Sequence, residues 1–512
     1  MTLRRLQSQN KLVTLRGAVL AVALFALARS FQEGGHPWGD DYALYINQAR
    51  GLADGTLWNV VADNRFALSN SAWSTFSPIA YPWGFPLLLF PLVSIFGLNF
   101  GVLKLVPTIA YVAMSLLMLG LTRRRFDRVG STLVTLIVAL NSWFISSTDA
   151  VLSDIVFIAI ALGSLSLIDA AWRHNRVLIR NDRLMVAAAV TMGFAFHVRR
   201  EGLGLFLALA AIQLVASRAT GTHRPSRPSI VIPWLWLFAT VIGVHLILPA
   251  PLLATRAPGG GLRAIPSNLQ WYAPRFAELL GLKTAGNEPI SLLSSHLLGV
   301  VLAWTVAIAG VIGLVASLIG LFRRQSSAPI HIAAAAIGIG ALVLITPYHE
   351  QRHMYTPFVL LLIIAAYGLH TLGALTGRHL ASSIAICLVF IGPACGTLQM
   401  TASSLRYHVD YDYVHWGPED PAVAELFDAI TRLTDERDVV VFFQARSMNL
   451  FTHRRAIQGN NVDMMVDRGD WYAQEIGSDY IQSPLTESEA ASIGFRESWR
   501  NSKFILWQIT NR

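Results

Sequence analysis

The chain has 512 residues, of which 54% are hydrophobic and only 14% charged, whereas soluble domains carry about a quarter charged residues. With a mean hydropathy of +0.48, that balance excludes an ordinary soluble globular protein, because so much apolar surface needs lipid. A formal charge of +9 would suit a nucleic-acid partner only if the basic residues formed one patch, and they lie instead between apolar stretches.

At the start, Arg4, Arg5, Lys11 and Arg16 precede or open an apolar run that ends Ala26-Leu27-Ala28. It reads as a retained first span with a cytoplasmic N-terminus, although the small residues also fit a signal-peptide cleavage site. With this one at 12–31, apolar stretches predict spans over roughly 100–121, 130–148, 152–172, 184–198, 202–217, 230–250, 293–321, 330–347, 355–372 and 380–400, about eleven helices in all. The run Arg123 to Arg125 with Arg128, the loop with Arg173, Arg176, Arg180 and Arg183, the loop with Arg218, Arg224 and Arg227, and the pair Arg323-Arg324 then fall on the cytoplasmic side by the positive-inside rule. An odd number of spans puts the two termini on opposite faces.

The segment Trp83 to Leu98 is apolar but contains Pro86 and Pro91, and as a helix of about 24 Å it is too short to cross comfortably. Counting it as a span would invert every later basic loop, so it is expected to lie in the interface or to re-enter. It closes a first external loop over 32–99, whose polar, aromatic part of about 50 residues is too long for a mere connector.

From 401 the texture becomes that of a soluble domain. Val423, Leu426, Phe427, Ile430 and Leu433 fall at helical spacing, and Val439 to Phe443 reads as a strand. Arg455 to Gln458 and Asp479 to Gln482 look like further strands, Thr486 with Glu489 like a capping box, and Lys503 to Ile509 like a closing strand. The expected architecture is a polytopic α-helical membrane domain over 1–400 followed by a small external α/β domain over 401–512. The two cysteines, Cys387 and Cys395, share one apolar stretch, so they read as buried thiols rather than a disulfide framework or a metal cluster. No Asn-x-Ser/Thr sequon occurs, which argues mildly against a glycosylated secretory protein.

The chemistry-bearing residues gather in short motifs. In Gly39-Asp40-Asp41-Tyr42 a helix is expected from Asp41, with Tyr45, Ala49 and Leu52 on one stripe and Gly55 to stop it. Asp40 and Asp41 then sit at its N-terminus, where a carboxylate is a favourable cap and equally a general base held at the membrane surface. Ser153-Asp154 opens the fourth span, Arg199-Arg200-Glu201-Gly202 separates the fifth and sixth, and Arg352-His353-x-Tyr355 precedes the tenth. By the predicted topology all of them lie at non-cytoplasmic ends, where the positive-inside rule expects few cations and a charge facing a bundle needs a partner. An anionic lipid phosphate would serve; so would Glu201 for Arg200, or snorkelling to head groups, and Asp154 could simply cap its helix. His197 reads as a hydrogen-bonded core histidine, and Trp271, Tyr272 and Arg275 as a sugar-stacking or interfacial group.

Gly-Asp-Asp-Tyr, the following Ala-x-x-Leu-Ala-x-Gly, and Tyr81-Pro82-Trp-Gly84-Phe-Pro86-Leu together resemble the first loop of GT-C glycosyltransferases. That superfamily includes the protein O-mannosyltransferases, the aminoarabinose transferase of lipid A and the Rgt-like bacterial transferases. The resemblance continues through Ser153-Asp154, Arg199 to Gly202 and Arg352 to Tyr355. It reaches the tail in Asp420 to Ile430, the Val439 strand, and Arg446 with Thr452-His453-Arg454. The family usually has Asp-Glu where this chain has Asp40-Asp41, and often Pro where Val156 stands.

The resemblance implies an inverting single displacement that moves a sugar from a polyprenyl-phosphate donor to a glycan, lipid or protein acceptor. The site would face the non-cytoplasmic side of a bacterial inner membrane, with the C-terminal domain periplasmic. In that scheme Asp40 is the base, Asp41 the supporting acid and Asp154 a second acid near the acceptor. Arg199, Arg200, Arg352, His353 and Tyr355 meet the donor phosphate, and Glu201, Trp271 and Tyr272 the rest of the substrate. Adjacent carboxylates without a histidine cluster are compatible with a Mg²⁺ or Mn²⁺ ion as well as with none. The rival readings are a transporter or flippase, an oligosaccharide polymerase or ligase, and a non-catalytic binding subunit.

Overall fold

The computed structural model describes residues 3–72, 78–219, 227–248, 250, 260–282, 296–323, 328–375, 379–410 and 416–510. The expected cytoplasmic residues Arg224 and Arg324 lie outside that set.

The chain opens with α1 (Leu3–Arg29), and the first loop then folds into α2 (Asp40–Ala53), α3 (Leu57–Asn70) and α4 (Gly84–Phe96). Next come α5 (Phe100–Leu103), α6 (Leu105–Arg123), α7 (Arg128–Ala139), α8 (Ser142–Ser146), α9 (Asp154–Arg173) and α10 (Arg183–Val198). A 3-10 turn over Arg200–Gly204 leads into α11 (Leu205–Ala219), followed by α12 (Arg227–Ile247), α13 (Ile265–Leu279), α14 (His296–Arg323) and α15 (Ile330–Ile345). A second 3-10 turn, Gln351–Met354, precedes α16 (Tyr355–Leu375), and α17 (His379–Asp410) leaves the bundle.

Seven helical segments among the described residues are long and apolar enough to cross a membrane. The expected spans at 130–148, 184–198 and 330–347 appear as shorter helices, with 12 residues in α7 and 16 each in α10 and α15. The first of these is broken. Its helix stops at Ala139, and Asn141 caps the short α8 by accepting from Trp143 N. In a setting without water, freed backbone groups need protein partners. Leu140 O takes the Thr401 hydroxyl, and Asn141 Nδ2 donates to Leu279 O at 2.6 Å. The helix α4, 13 residues long, buries Phe85, Leu89 and Val93 and exposes Ile95 and Phe96.

Lipid tails give helices no hydrophobic reason to associate, so close backbone approach takes over. A Cβ on Gly204 would stand 2.4 Å from Ile339 N of α15, and one on Gly368 of α16 2.1 Å from Ala309 O of α14. Charges mark the two ends of the bundle. Asp154 begins α9, and near its other end, about 22 Å along the helix axis, Asp169 gathers Arg124, Arg125 and Arg173. The two charge clusters thus stand near opposite ends of α9.

The C-terminal domain holds β1 (Val439–Val441), β2 (Arg455–Ile457), β3 (Trp471–Glu475), β4 (Phe495–Arg500) and β5 (Phe504–Ile509) in the order β2-β1-β3-β5-β4. β1 runs parallel to β2 and β3, and β5 antiparallel to β3 and β4. The helix α18 (Pro421–Leu433) starts where Asp420 accepts from Ala422 N and buries Val423, Leu426, Phe427 and Ile430. The helices α19 (Ala445–Thr452), α20 (Val462–Arg468) and α21 (Glu487–Ser492) complete it, and the Thr486–Glu489 capping box is present.

Two expectations need correction. Asp479 to Gln482 is a turn, because Ile481 has a φ of +53° that a strand cannot accommodate. The sheet instead uses β3, whose Gln474 is buried but bonded to Leu485 and Trp507; a polar residue satisfied only in three dimensions hides a strand from an apolar pattern. The cysteines are not buried: Cys395 is exposed on α17 and Cys387 half-exposed, so both sit on a lipid-facing helix.

Candidate active site

Gly39, with a φ of +154° that favours glycine, turns the chain so that α2 starts at Asp40 and places both carboxylates in its first turn. The helix is then fixed by its own buried face. Tyr45 OH bonds Ser153 Oγ at 3.0 Å beside Asp154, the Tyr45 ring packs 4.6 Å from Tyr81, and the Gln48 amide clasps the Tyr81 backbone in both directions. Tyr81 is thereby aimed at Asp41.

The two acids have different surroundings. Asp41 Oδ2 accepts from Arg352 Nη2 at 2.6 Å and Oδ1 from the Tyr81 hydroxyl. Burial pushes its carboxyl up, yet the Arg352 guanidinium, with the Tyr81 bond, outweighs burial and holds it at about 2. Asp40 Oδ1 accepts from Arg446 N at 3.2 Å and Ser447 N at 3.4 Å, and Oδ2 from Gln458 Nε2 at 3.1 Å. There burial wins over the nearby Arg446 charge, helped by repulsion from Asp41, and the carboxyl rises to about 7. One acid is locked ionised and its neighbour is poised near neutrality, the separation of roles that acid–base chemistry uses.

A chain of alternating charge runs on from Asp41. Arg352 also pairs with Glu350 and lies 3.9 Å from Asp154 Oδ2, while Asp154 Oδ1 accepts from Arg199, whose other nitrogen reaches Glu201 Oε1 at 2.9 Å. Arg199 and Arg352 thus have carboxylate partners within the protein, and it is Arg199 rather than Arg200 that bonds Glu201. A gap of about 10 Å³ lies among Asp154, Arg199, Glu201, Arg352 and His353. The open space lies on the Asp40 side: a cavity of about 440 Å³ lined by Trp38, Asp40, Asp41, Glu350, Arg352, Arg446, Gln458 and Tyr480, among others.

The expected site residues therefore separate into groups. Asp40, Asp41 and Arg352 line the cavity, Asp154, Arg199 and Glu201 form its charged support, and His353 lies beside them. Arg200 turns away, its guanidinium 4.5 Å from the Phe196 ring and bonded to Phe196 O. Tyr355 is buried and packs 4.7 Å from Phe144. Trp271 stacks on His349 at 5.5 Å and under Arg275 at 3.7 Å, and Tyr272 OH donates to Tyr348 O at 3.3 Å. Those two aromatics brace the segment before Arg352 without lining the cavity. His197 is the expected core histidine, buried and bonded to Val241 O at 3.0 Å.

Sequence reading assigned no role to Tyr81, Arg446, Gln458, Glu350 or His36. For Arg446 a signal existed, an arginine within the otherwise mild run Ala-Arg-Ser-Met-Asn-Leu-Phe, whereas Gln458 carries none. His36 accepts from Val151 N at Nε2 and so donates from Nδ1 to Pro37 O; burial holds it neutral, at about 3. Among the described residues no group of three His, Cys, Asp or Glu side chains is arranged to hold a metal ion. Both oxygens of Asp40 and of Asp41 accept from protein donors.

No family model and no curated protein matches the chain. Solved structures do. ArnT from Cupriavidus metallidurans bound to undecaprenyl phosphate aligns with a TM-score of 0.54 at 12% identity over 97% of this chain and 98% of that one. The apo state of the same ArnT gives 0.54 and 12% over 98% and 99%. The apo oligosaccharyltransferase of Archaeoglobus fulgidus gives 0.54 and 14% over 90% of this chain and 69% of that one. At such identities the likeness speaks for architecture, over nearly the whole length, and this polytopic helical chain with its small C-terminal sheet domain has the fold of the GT-C glycosyltransferases.

Proposed function

We propose that the chain is a membrane glycosyltransferase that moves a sugar from a polyprenyl-phosphate donor to an acceptor hydroxyl on the non-cytoplasmic face of a bacterial inner membrane. The observation that carries this reading is the Asp40 carboxyl, raised to about 7 on the wall of the 440 Å³ cavity beside Arg352. The solved ArnT with bound undecaprenyl phosphate supports the donor class. The cavity volume falls within the ~300–1,000 Å³ usual for small-molecule sites, which favours a donor carrying a single sugar or a short one.

In this mechanism the ionised Asp40 takes the proton from the acceptor hydroxyl as its oxygen attacks the anomeric carbon. The bond from that carbon to the phosphate oxygen breaks, and the electron pair leaves with the lipid phosphate, so the sugar carbon inverts. Arg352 meets the charge growing on the phosphate, a preorganised stabilisation that is commonly worth a few kcal/mol. Glu350, the most exposed of its carboxylate partners at 46%, is the one a phosphate would displace, while Asp41 keeps the guanidinium aimed. Asp154, tied to Arg199, lies behind them as the support of Arg352.

The test uses the full chain in lipid nanodiscs with a set of undecaprenyl-phosphate sugars. Asp40→Asn should abolish transfer while leaving donor binding nearly intact, because an amide keeps the size of the carboxyl but cannot take the proton. Transfer at the parent rate by a folded Asp40→Asn variant would remove Asp40 as the base. Tight donor binding by the parent without turnover against any acceptor would favour a binding subunit.

A further inference from the structure

Every hydrogen bond that the Asp40 carboxylate accepts among the described residues comes from the C-terminal domain: the second and third amides of α19, those of Arg446 and Ser447, and the Gln458 amide. These donors stand 406 to 418 residues away in sequence. We propose that the C-terminal domain is a working part of the active site, with Arg446 and Gln458 as positioning residues that hold Asp40 and keep its buried carboxyl able to ionise. This rests on the reading of Asp40 as the base.

The attachment is built on both sides. Arg446 is only 5% exposed. Its Nε donates to Asn64 Oδ1 at 3.0 Å, Nη2 to Pro78 O at 3.1 Å and Nη1 to Tyr81 OH at 3.4 Å, so the first loop orients the guanidinium that the C-terminal domain supplies. Gln458 gives its amide to both Asp40 and Phe443 O, and its backbone N–H goes to Ser71 Oγ at 3.0 Å. Beside them Tyr42 OH bonds Ser447 Oγ at 2.9 Å and Asn47 bonds Asn449 at 3.0 Å. The C-terminal domain cannot shift without moving Asp40.

The charged and titratable groups around Asp40 are Asp41 and Tyr42 on its own helix, His36 before it, Arg446 on α19, Glu350 and Arg352 from the turn before α16, and Tyr480 across the cavity. Asp41 and Arg352 compensate each other at 2.6 Å, Glu350 is held by Arg352, and His36 is neutral. That leaves Arg446 as the cation whose field falls on Asp40. A buried carboxylate without charge or N–H donors shifts toward its neutral form, which cannot serve as a base. Removing Arg446 or the Gln458 amide therefore raises the pH at which Asp40 ionises.

The test reads Asp40 directly, without any sugar substrate. Dicyclohexylcarbodiimide reacts with protonated carboxyls, and peptide mass spectrometry of the full-length protein in detergent gives the pH at which half of Asp40 is labelled. The parent should show a midpoint near pH 7. Arg446→Gln should move it up by about one unit or more, the usual effect of losing a neighbouring cation, Arg446→Lys should restore most of that shift, and Gln458→Leu should move it up by less. A one-unit rise is tenfold in the ionisation ratio. Transfer by Arg446→Gln should then fall about fivefold at pH 7 and recover at pH 9, whereas a purely structural defect lowers the rate at every pH. An unmoved midpoint in folded Arg446→Gln overturns the proposal; if that variant does not fold, an unmoved midpoint in Gln458→Leu does so. Failure of Asp40→Asn to lose transfer would instead strike the base assignment and leave the midpoints standing.

Discussion

At the scale of single residues, the pair Asp40-Asp41 shows how neighbours of one chemistry acquire opposite states. Asp41→Asn should move the midpoint of the pH–rate profile down, because it removes a repulsion that raises Asp40, and should lower both donor affinity and turnover, because it releases Arg352. Arg352→Ala should weaken donor binding and turnover together, since the guanidinium meets the phosphate before the transition state and more strongly within it. The parent rate should rise as pH passes upward through about 7, where Asp40 loses its proton, and stay flat through the range near 2 where Asp41 does; a profile rising near pH 4 would assign the base to an unperturbed carboxyl. The acids and Arg352 were legible as charges out of place at span ends. The difference between the acids was not, because it depends on donors that arrive from Arg446, Ser447 and Gln458.

The helices and strands obey their local signals where those signals are redundant. The helix α18 has its Asp420 cap, its proline at the first position and an apolar stripe, and α21 has a full capping box. Thr486→Ala should cost the C-terminal domain about 1 kcal/mol, visible as earlier loss of its sheet signal on chemical denaturation. Elements set by contact rather than by pattern behave differently. At Gly204 any Cβ meets the backbone of α15 at 2.4 Å, so Gly204→Val should overpack the bundle by about 1–3 kcal/mol and lower the melting temperature in detergent. Because the residues just before Gly204 carry the Arg199–Glu201 pair, the same change should lower donor affinity. The broken helix at Leu140 and Asn141 gave no warning in its composition, since the Leu140 carbonyl takes its donor from Thr401 and the Asn141 side chain gives its own to Leu279 O, both in distant segments.

For the whole molecule, the proposed orientation in the membrane is tested by labelling its two faces. In a background with Cys387 and Cys395 replaced by alanine, a cysteine at Arg65 or Glu436 should react with an impermeant maleimide from outside intact cells. One at His174, near the Asp169 cluster, should react only after permeabilisation. Labelling at His174 from outside, with none at Arg65 or Glu436, would turn the proposed orientation over. The interlock of α2 and α3 with α19 and β2 makes a further expectation: Arg65 and Glu436, distant in sequence, must share one face.

Composition and the periodicity of apolar stretches were enough to determine a polytopic membrane protein with a soluble tail, because hydrocarbon imposes span length and charge distribution on any sequence that crosses it. The order of the short charged motifs pointed further, to one family of folds and one end of the bundle. Only the tertiary structure decided which charges meet. Arg199 rather than Arg200 takes Glu201, Tyr355 goes to packing, and the C-terminal domain reaches back to hold Asp40. A side chain's partner and its proton affinity depend on contacts spanning hundreds of residues and on how much water folding excludes, and neither quantity has a local imprint in the sequence.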